Sequence, residues 1–102
     1  MLHYIVIANL HDHATDDQVT AAVEGYVTLA SAIPQMRSVA AGRDVGPGSA
    51  APKMLFTAQF ASAADYEVYR SHPVPAAFAT ERVLPISDIS VATYFDDGRP
   101  AE

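Results

Sequence analysis

The segment YRSHPVPAAF, residues 69–78, places a tyrosine and a histidine three positions apart. Side chains at this spacing share one face of a helix, so Tyr69 and His72 could meet. A neutral imidazole beside a phenol can perform acid–base chemistry at neutral pH: the imidazole removes an acidic α-proton and the phenol stabilises the oxyanion. The alternative is structural, because His72 precedes Pro73 and could cap the end of a helix.

The other histidines offer two further hypotheses. His3 lies in an apolar segment, where it could act as a second base for Tyr69 or simply be satisfied by a hydrogen bond. His11 and His13 flank Asp12, and two imidazoles with a carboxylate can bind zinc or iron. These residues lie on a short connector, and the acids after it fit the start of a helix better. We therefore predict no metal and no cofactor, and keep a haem- or metal-handling protein that uses His11 and His13 as the alternative.

Hydrophobic periodicity, capping residues and prolines predict four strands and three helices. Thr15 with Gln18, and Ser62 with Asp65, have the spacing of capping boxes, while Pro34 and Pro73 end helices. Gly42 is expected to mark a bulge or a close approach within its strand. The predicted strands are Leu2–Leu10, Met36–Val45, Lys53–Ala61 and Ile89–Phe95; the helices follow Thr15, Ser62 and Val74, and residues 46–52 form a loop.

The order βαββαβ predicts an α+β, ferredoxin-like fold in which helices cover one face of an antiparallel four-stranded sheet. The first strand is apolar on both faces, with His3, Ile5 and Ile7 on one of them. We expect a second copy to cover the free face, giving a homodimeric α/β barrel joined through its sheets. Residues 1–95 form one domain, and residues 96–102 form a flexible tail.

Composition restricts the possible partners. The chain of 102 residues carries a net charge of −6, only six Lys and Arg, and no cysteine. The few Lys and Arg residues are scattered along the sequence and form no basic cluster, so nucleic acid and anionic membranes are not expected partners. The N-terminus lacks the features of a signal peptide, and no apolar run is long enough for a membrane helix. We expect a cytoplasmic protein.

Three segments, IPQMRSVAAGRDV, FASAADYEVYRSHP and VATYF, together carry a family resemblance. They resemble the stress-responsive dimeric α/β-barrel (Dabb) family, and within it the cofactor-free polyketide cyclases of plants. The resemblance implies a pocket between sheet and helices, and places His3, Tyr69 and His72 among its catalytic residues. Pro75 and Met54 stand where those cyclases have histidines.

Two functional hypotheses follow. The first is cofactor-free cyclase or isomerase chemistry on a small, apolar, polyketide-like carbonyl compound. The second is a non-catalytic, ligand-binding or stress-associated Dabb protein. In either case aromatic side chains and small helix residues could leave room for a ligand, although such aromatic sets are more often core. The expected pocket lining is Ile5, Ile7, Tyr26, Met54, Phe56, Tyr66 and Phe78.

Overall fold

A computed structural model describes residues 1–47 and 51–101 of the chain. Its regular elements alternate as the sequence pattern predicts, with an additional π-helix before the last strand. They are β1 (Leu2–Leu10), α1 (Asp16–Ala32), β2 (Ser38–Arg43), β3 (Lys53–Phe60), α2 (Ala63–Ser71), α3 (Pro73–Phe78), the π-helix (Ala79–Val83) and β4 (Ser87–Asp96). None of the helices in the described ranges is long and apolar enough to cross a bilayer.

The strands form one four-stranded sheet in the order β2-β3-β1-β4. Both neighbours of β1 run antiparallel to it, with Val6 opposite Phe56 of β3 and Ala92 of β4. The β2–β3 pair is also antiparallel. The predicted α+β, ferredoxin-like plan is confirmed, and β1 lies at the centre of the sheet.

Capping residues begin the two longer helices. Thr15 Oγ1 accepts a bond from the Gln18 backbone N–H at 3.2 Å, and Gln18 Oε1 accepts one from the Thr15 N–H at 2.9 Å. This reciprocal pair satisfies two of the four donors that a helix start leaves free. Ser62 Oγ similarly accepts from the Asp65 N–H at 3.2 Å. Both predicted helix starts are confirmed.

The two faces of the sheet differ in burial. On the helix-facing side, even-numbered residues of β1 and β3 are buried against α1 and α2, including Val6, Phe56 and Phe60. The opposite side, which we call the outer face, retains Val91 at 38 % and Phe95 at 51 % exposure. The helices of one chain therefore cover only one of the two apolar faces that the sequence predicts.

Several element boundaries differ from prediction. β2 begins at Ser38, because Met36 is instead buried in the core. β4 begins at Ser87 rather than Ile89, and α3 begins at Pro73. A proline fits the first turn of a helix, where its missing N–H is no loss.

The prediction for Gly42, a bulge or a close approach, is wrong. Its register opposite Leu55 is regular, and a Cβ added at Gly42 would meet nothing within 4 Å. The register shift lies instead in the β1–β4 pair, between Ile7 and Ala8. Of the predicted loop, residues 48–50 lie outside the described ranges.

The last residues contact the beginning of the chain. β4 continues through Asp96, one residue past the predicted domain end. The N-terminal amine of Met1 donates to the Arg99 carbonyl at 2.6 Å, and Asp97 accepts a bond from His3 at 2.8 Å. The tail thus has defined contacts as far as Arg99, while its flexibility stays a prediction.

Candidate functional site

A small cavity lies between the helix-facing side of the sheet and the helices. Its volume is about 70 Å³, and its lining is apolar apart from three phenol groups. We call it the tyrosine cavity. It is lined by Tyr4, Val6, Tyr26, Phe56, Tyr69, Pro75, Phe78, Ala79, Val83 and Ile89.

Tyr26 and Tyr69 bring hydroxyl groups to this cavity from two different helices. Tyr26 belongs to the buried stripe of α1 and is 3 % exposed, and Tyr69 projects from α2. The Tyr26 hydroxyl is close enough to that of Tyr69 for a hydrogen-bond interaction between the two. It is nevertheless buried without a partner of normal hydrogen-bond geometry among the described residues. A buried, unsatisfied hydroxyl is costly, so its presence calls for an explanation.

Burial raises the pKa of the cavity tyrosines. Burial disfavours the phenolate of Tyr69 and raises its pKa to about 12, and Tyr66 adds to this rise. The hydrogen-bond interaction with the Tyr26 hydroxyl lowers the pKa by less than burial raises it. Burial also raises the pKa of Tyr4 and Tyr26 well above the ordinary value. These phenols are therefore neutral at physiological pH. They can donate hydrogen bonds into the cavity but cannot act as bases there.

Four of the five tyrosines, Tyr4, Tyr66, Tyr69 and Tyr94, form one network of ring contacts beside the cavity, whereas the ring of Tyr26 contacts Phe56 and Phe78. The ring centroids of Tyr66 and Tyr94 are 4.8 Å apart, and those of Tyr4 and Tyr69 are 5.7 Å apart. Tyr66 packs on Tyr4 at 5.3 Å but does not line the cavity itself. Edge and tilted contacts of this kind stabilise aromatic cores, and here they hold the Tyr69 ring in place.

His3 lies on the outer face and not in the tyrosine cavity. Its Nε2 is 2.8 Å from Asp97 Oδ2, and its Nδ1 is 3.3 Å from Gln59 Nε2. Its ring stacks on Phe95 with centroids 4.8 Å apart. The sheet separates His3 from Tyr69, so the expected pairing of the two within one chain does not form. Both ring nitrogens are satisfied when Nε2 carries the proton.

His72 occupies the junction between α2 and α3. Its backbone N–H donates to the Tyr69 carbonyl at 3.2 Å, and its Nδ1 accepts from the Val74 N–H at 3.1 Å. The ring of His72 is thus a cap, but it caps the start of α3 and not the end of α2 as the sequence predicts. Because Nδ1 must be unprotonated to accept, the capping ring is neutral. His72 is not among the residues that line the cavity.

The remaining predicted lining residues divide between the two sides of the sheet. Phe56 and Phe78 line the tyrosine cavity. Ile5 borders a separate outer-face cavity of about 250 Å³, and Ile7 shares that outer face. Met54 is fully buried on the helix-facing side opposite Ala8, beyond the cavity. Ile5, Ile7 and Met54 therefore do not line the tyrosine cavity.

Sequence reasoning also missed lining residues, above all Tyr4, Val6 and Val83. Tyr4 and Val6 follow the same alternation that buries Leu2 and Ala8. That alternation would have identified them, had the even-numbered face been assigned to the helices. Val83 lies in the π-helix, within the segment that the sequence predicts as the third helix, but no sequence pattern indicated the π geometry.

His11, His13 and Asp88 form a chain of contacts rather than a metal site. His11 Nδ1 is 3.2 Å from His13 Nε2, and His11 Nε2 is 3.1 Å from Asp88 Oδ1. The two partners lie on opposite sides of one ring, so the three groups do not converge on a point. No group of three or more His, Asp or Glu side chains suited to a metal occurs within residues 1–47 and 51–101.

Solved structures with the same fold include dimers and enzymes. A dimeric ferredoxin-like protein of unknown function from Thermobifida fusca is 25 % identical, with a TM-score of 0.79 over 92 % of this chain and 88 % of that chain. A hydroxynitrile lyase from Passiflora edulis is 20 % identical, with a TM-score of 0.78 over 97 % of each chain. SnoaB, a cofactor-independent oxygenase from Streptomyces nogalater, is 9 % identical, with a TM-score of 0.76 over 96 % and 93 %.

No protein of curated function matches the sequence. The sequence profile of the Stress responsive A/B Barrel Domain, Dabb, matches residues 2–96, which is nearly the whole chain. The match includes every strand and helix of the fold and all residues that line the tyrosine cavity. The chain belongs to the Dabb family.

Proposed function

We propose that the protein is a homodimer that binds a small, largely apolar carbonyl compound in the tyrosine cavity of each subunit. The observation that carries this proposal is the Tyr26 hydroxyl, which lines the cavity and is buried without a partner of normal hydrogen-bond geometry among the described residues. A ligand oxygen would remove the cost of that unsatisfied group. Tyr69 offers a second hydroxyl beside it.

The chemistry of the lining favours a neutral acceptor. The only polar side-chain groups that line the cavity are the three tyrosine hydroxyls, and burial keeps them neutral. An anion in such apolar surroundings would lack a compensating charge, so its desolvation would be costly. A carbonyl oxygen is neutral and has two lone pairs, so it can accept from both Tyr26 and Tyr69.

The volume limits the size of the ligand. An engineered apolar cavity of ~150 Å³ holds benzene, and the tyrosine cavity has about 70 Å³. A whole polyketide does not fit this space. We therefore narrow the expected polyketide-like compound to a small aldehyde or ketone, or to the carbonyl end of a longer molecule.

Cofactor-independent acid–base chemistry of the cyclase or isomerase type is the second candidate. Two phenol donors that face one ligand oxygen would stabilise a developing oxyanion. The hydroxynitrile lyase and cofactor-independent oxygenase relatives give precedent for enzymes on this fold. However, His3 lies beyond the sheet, the His72 Nδ1 caps α3, and raised pKa values exclude the tyrosines as bases. We therefore favour binding over catalysis.

One titration in D₂O tests both candidates. Butanone is added to the protein, its affinity is measured from amide shifts, and deuterium incorporation at its α-carbons is followed by NMR. We expect saturable binding that weakens by about 2- to 10-fold in Tyr69→Phe, the equivalent of one hydrogen bond. Tyr94→Phe is the control, because Tyr94 is 47 % exposed and does not line the cavity.

The outcomes separate the candidates. Binding without exchange above the buffer rate supports a binding protein. Exchange that Tyr69→Phe abolishes supports catalysis instead. Absence of binding at any accessible concentration, or equal affinity in the wild type and Tyr69→Phe, would refute the role that we give to the cavity.

The homodimer has its own test. The outer face is apolar around Val91 and Phe95, and a second sheet would cover it; the relative from Thermobifida fusca is described as dimeric. We expect Val91→Glu to yield monomers in sedimentation equilibrium. Val68→Glu is a matched control, since Val68 has similar exposure, 42 % against 38 %, but lies on α2. A dimer that survives Val91→Glu unchanged would contradict pairing through this face.

A further inference from the structure

Gly25 on α1 lies directly against the ring of Phe78. A Cβ at position 25 would be 2.7 Å from Phe78 Cε1 and 3.3 Å from Cδ1, closer than two carbons can approach. The close contact therefore requires the absence of a side chain at position 25. The helices α1 and α3 meet at this point, one residue from Tyr26 in sequence.

Phe78 forms part of the cavity wall. Its ring centroid is 6.2 Å from that of Tyr26, and its side chain lines the tyrosine cavity. It is the last residue of α3, and the π-helix that follows contributes Ala79 and Val83 to the same wall. The position of the Phe78 ring therefore bears directly on how much space the cavity contains.

The wall is also held from its other end. The Leu84 N–H donates to the Ala79 carbonyl at 2.9 Å, which is the i→i+5 bond of a π-helix. Ser87, which is 1 % exposed, donates its hydroxyl to the Val83 carbonyl at 2.6 Å. The hydrogen bonds at the end of the π-helix and the contact of Phe78 with Gly25 restrict movement of this wall away from the cavity.

We propose that the Gly25–Phe78 contact sets the upper size of the ligand, so that residue 25 determines specificity without touching the ligand. This inference rests on the proposed function. With about 70 Å³ available, against ~150 Å³ for the six carbons of benzene, the wild-type cavity holds about three non-hydrogen atoms, the size of acetaldehyde or of the carbonyl end of propanone or butanone. Acetophenone, whose ring alone needs a cavity of ~150 Å³ by the benzene comparison, is excluded.

The test measures cavity size and ligand preference separately. Xenon binding to the protein, followed by ¹²⁹Xe NMR, reports on the cavity without any carbonyl compound. Affinities for propanone, 2-pentanone and acetophenone report on preference. The variants are Phe78→Ala, Gly25→Ala and the double variant, with Val74→Ala as the control because Val74 is exposed and lies on α3 outside the lining.

We expect Phe78→Ala to bind xenon more tightly, to admit acetophenone, and to gain about fourfold in affinity per added CH₂ along the ketone series. Gly25→Ala, which displaces the ring, should change ketone affinity by about tenfold with Phe78 present. In the Phe78→Ala background the same substitution should have no effect. Alanine is the better helix former, so weaker helix propensity cannot cause the change.

The results also distinguish this inference from the function on which it rests. Xenon affinity that rises in Phe78→Ala while no ketone binds to any variant supports the size limit and refutes carbonyl binding. Equal xenon affinity in the wild type and Phe78→Ala overturns the size limit, whatever the ketones do. An equal effect of Gly25→Ala with and without the Phe78 ring overturns the role of residue 25. If a single variant folds poorly, the double variant decides the question.

Discussion

Replacing Tyr26 by Phe should make the protein more stable. Tyrosine-to-phenylalanine changes in protein cores usually remove a hydrogen bond, but the Tyr26 hydroxyl is buried without one of normal geometry among the described residues. Such an unsatisfied group costs about 1–3 kcal/mol, and its removal recovers part of that cost. The ring contact with Phe56, at 4.9 Å between centroids, does not involve the hydroxyl and should persist.

The lower end of that range is the appropriate estimate, because the Tyr69 hydroxyl interacts with Tyr26 and offsets part of the cost. We expect a gain of about 1 kcal/mol, which corresponds to a rise in Tm of roughly 4–8 °C for a domain near this size. The assay is thermal unfolding followed by circular dichroism. Protein concentration must be equal in all samples, since the proposed dimerisation would make Tm depend on concentration.

Tyr94→Phe is the matched control, because Tyr94 is 47 % exposed and water can satisfy its hydroxyl. Its stability should stay within about 0.5 kcal/mol of the wild type. The same Tyr26→Phe variant should bind butanone more weakly, so stability and affinity move in opposite directions. A fall in Tm for Tyr26→Phe would show that the hydroxyl is satisfied in the folded protein, and the argument for a ligand oxygen would fail.

Three further substitutions test the framework around the site. Thr15→Ala removes the cap of α1 and should cost about 1 kcal/mol, measured from the urea midpoint. Ser87→Ala leaves the Val83 carbonyl without its 2.6 Å donor and should cost about 1–2 kcal/mol by the same measurement. The hydrogen bond from His3 lowers the pKa of Asp97 to about 2, so this carboxylate stabilises the fold above pH ~4 and loses that effect as the pH falls towards 2. Asp97→Asn should therefore have a smaller fall in Tm than the wild type between pH 4 and 2, and parallel curves would contradict the pairing.

The fold was largely predictable because each element carries its own local signal. The caps at Thr15 and Ser62 and the alternation in β1 are properties of a few neighbouring residues. The errors occurred where tertiary contacts decide. Ser87 is polar and was not assigned to a strand, yet its hydroxyl is satisfied by the π-helix and its backbone pairs with Leu10. Leu10 lies far from Ser87 in the sequence, and the π-helical geometry that presents the Val83 carbonyl has no sequence signal.

The site was harder to predict because it depends on which face of β1 the helices cover. Both alternating sets of β1 are apolar, so the pattern does not distinguish them. Assigning the odd-numbered set to the pocket placed His3 and Ile5 beside Tyr69, whereas Tyr4 and Val6 occupy that position. The packing of α1 and α2 decides which face of β1 the helices cover. Tyr26 of α1 contacts Phe56, and Tyr69 of α2 contacts Tyr4.

The two positions where the resembling cyclases have histidines bear on what the cavity can do. Pro75 is buried in the cavity wall, and Met54 is fully buried opposite Ala8, so neither position can supply a proton acceptor. The hydrogen-bond donors Tyr26 and Tyr69 nevertheless remain in the cavity, one of them without a partner among the described residues. Hydrogen-bond donors without a base can bind a carbonyl oxygen, but they cannot remove the α-proton of the carbonyl compound. The presence of these donors without a base thus supports the proposed recognition of a carbonyl compound over its conversion.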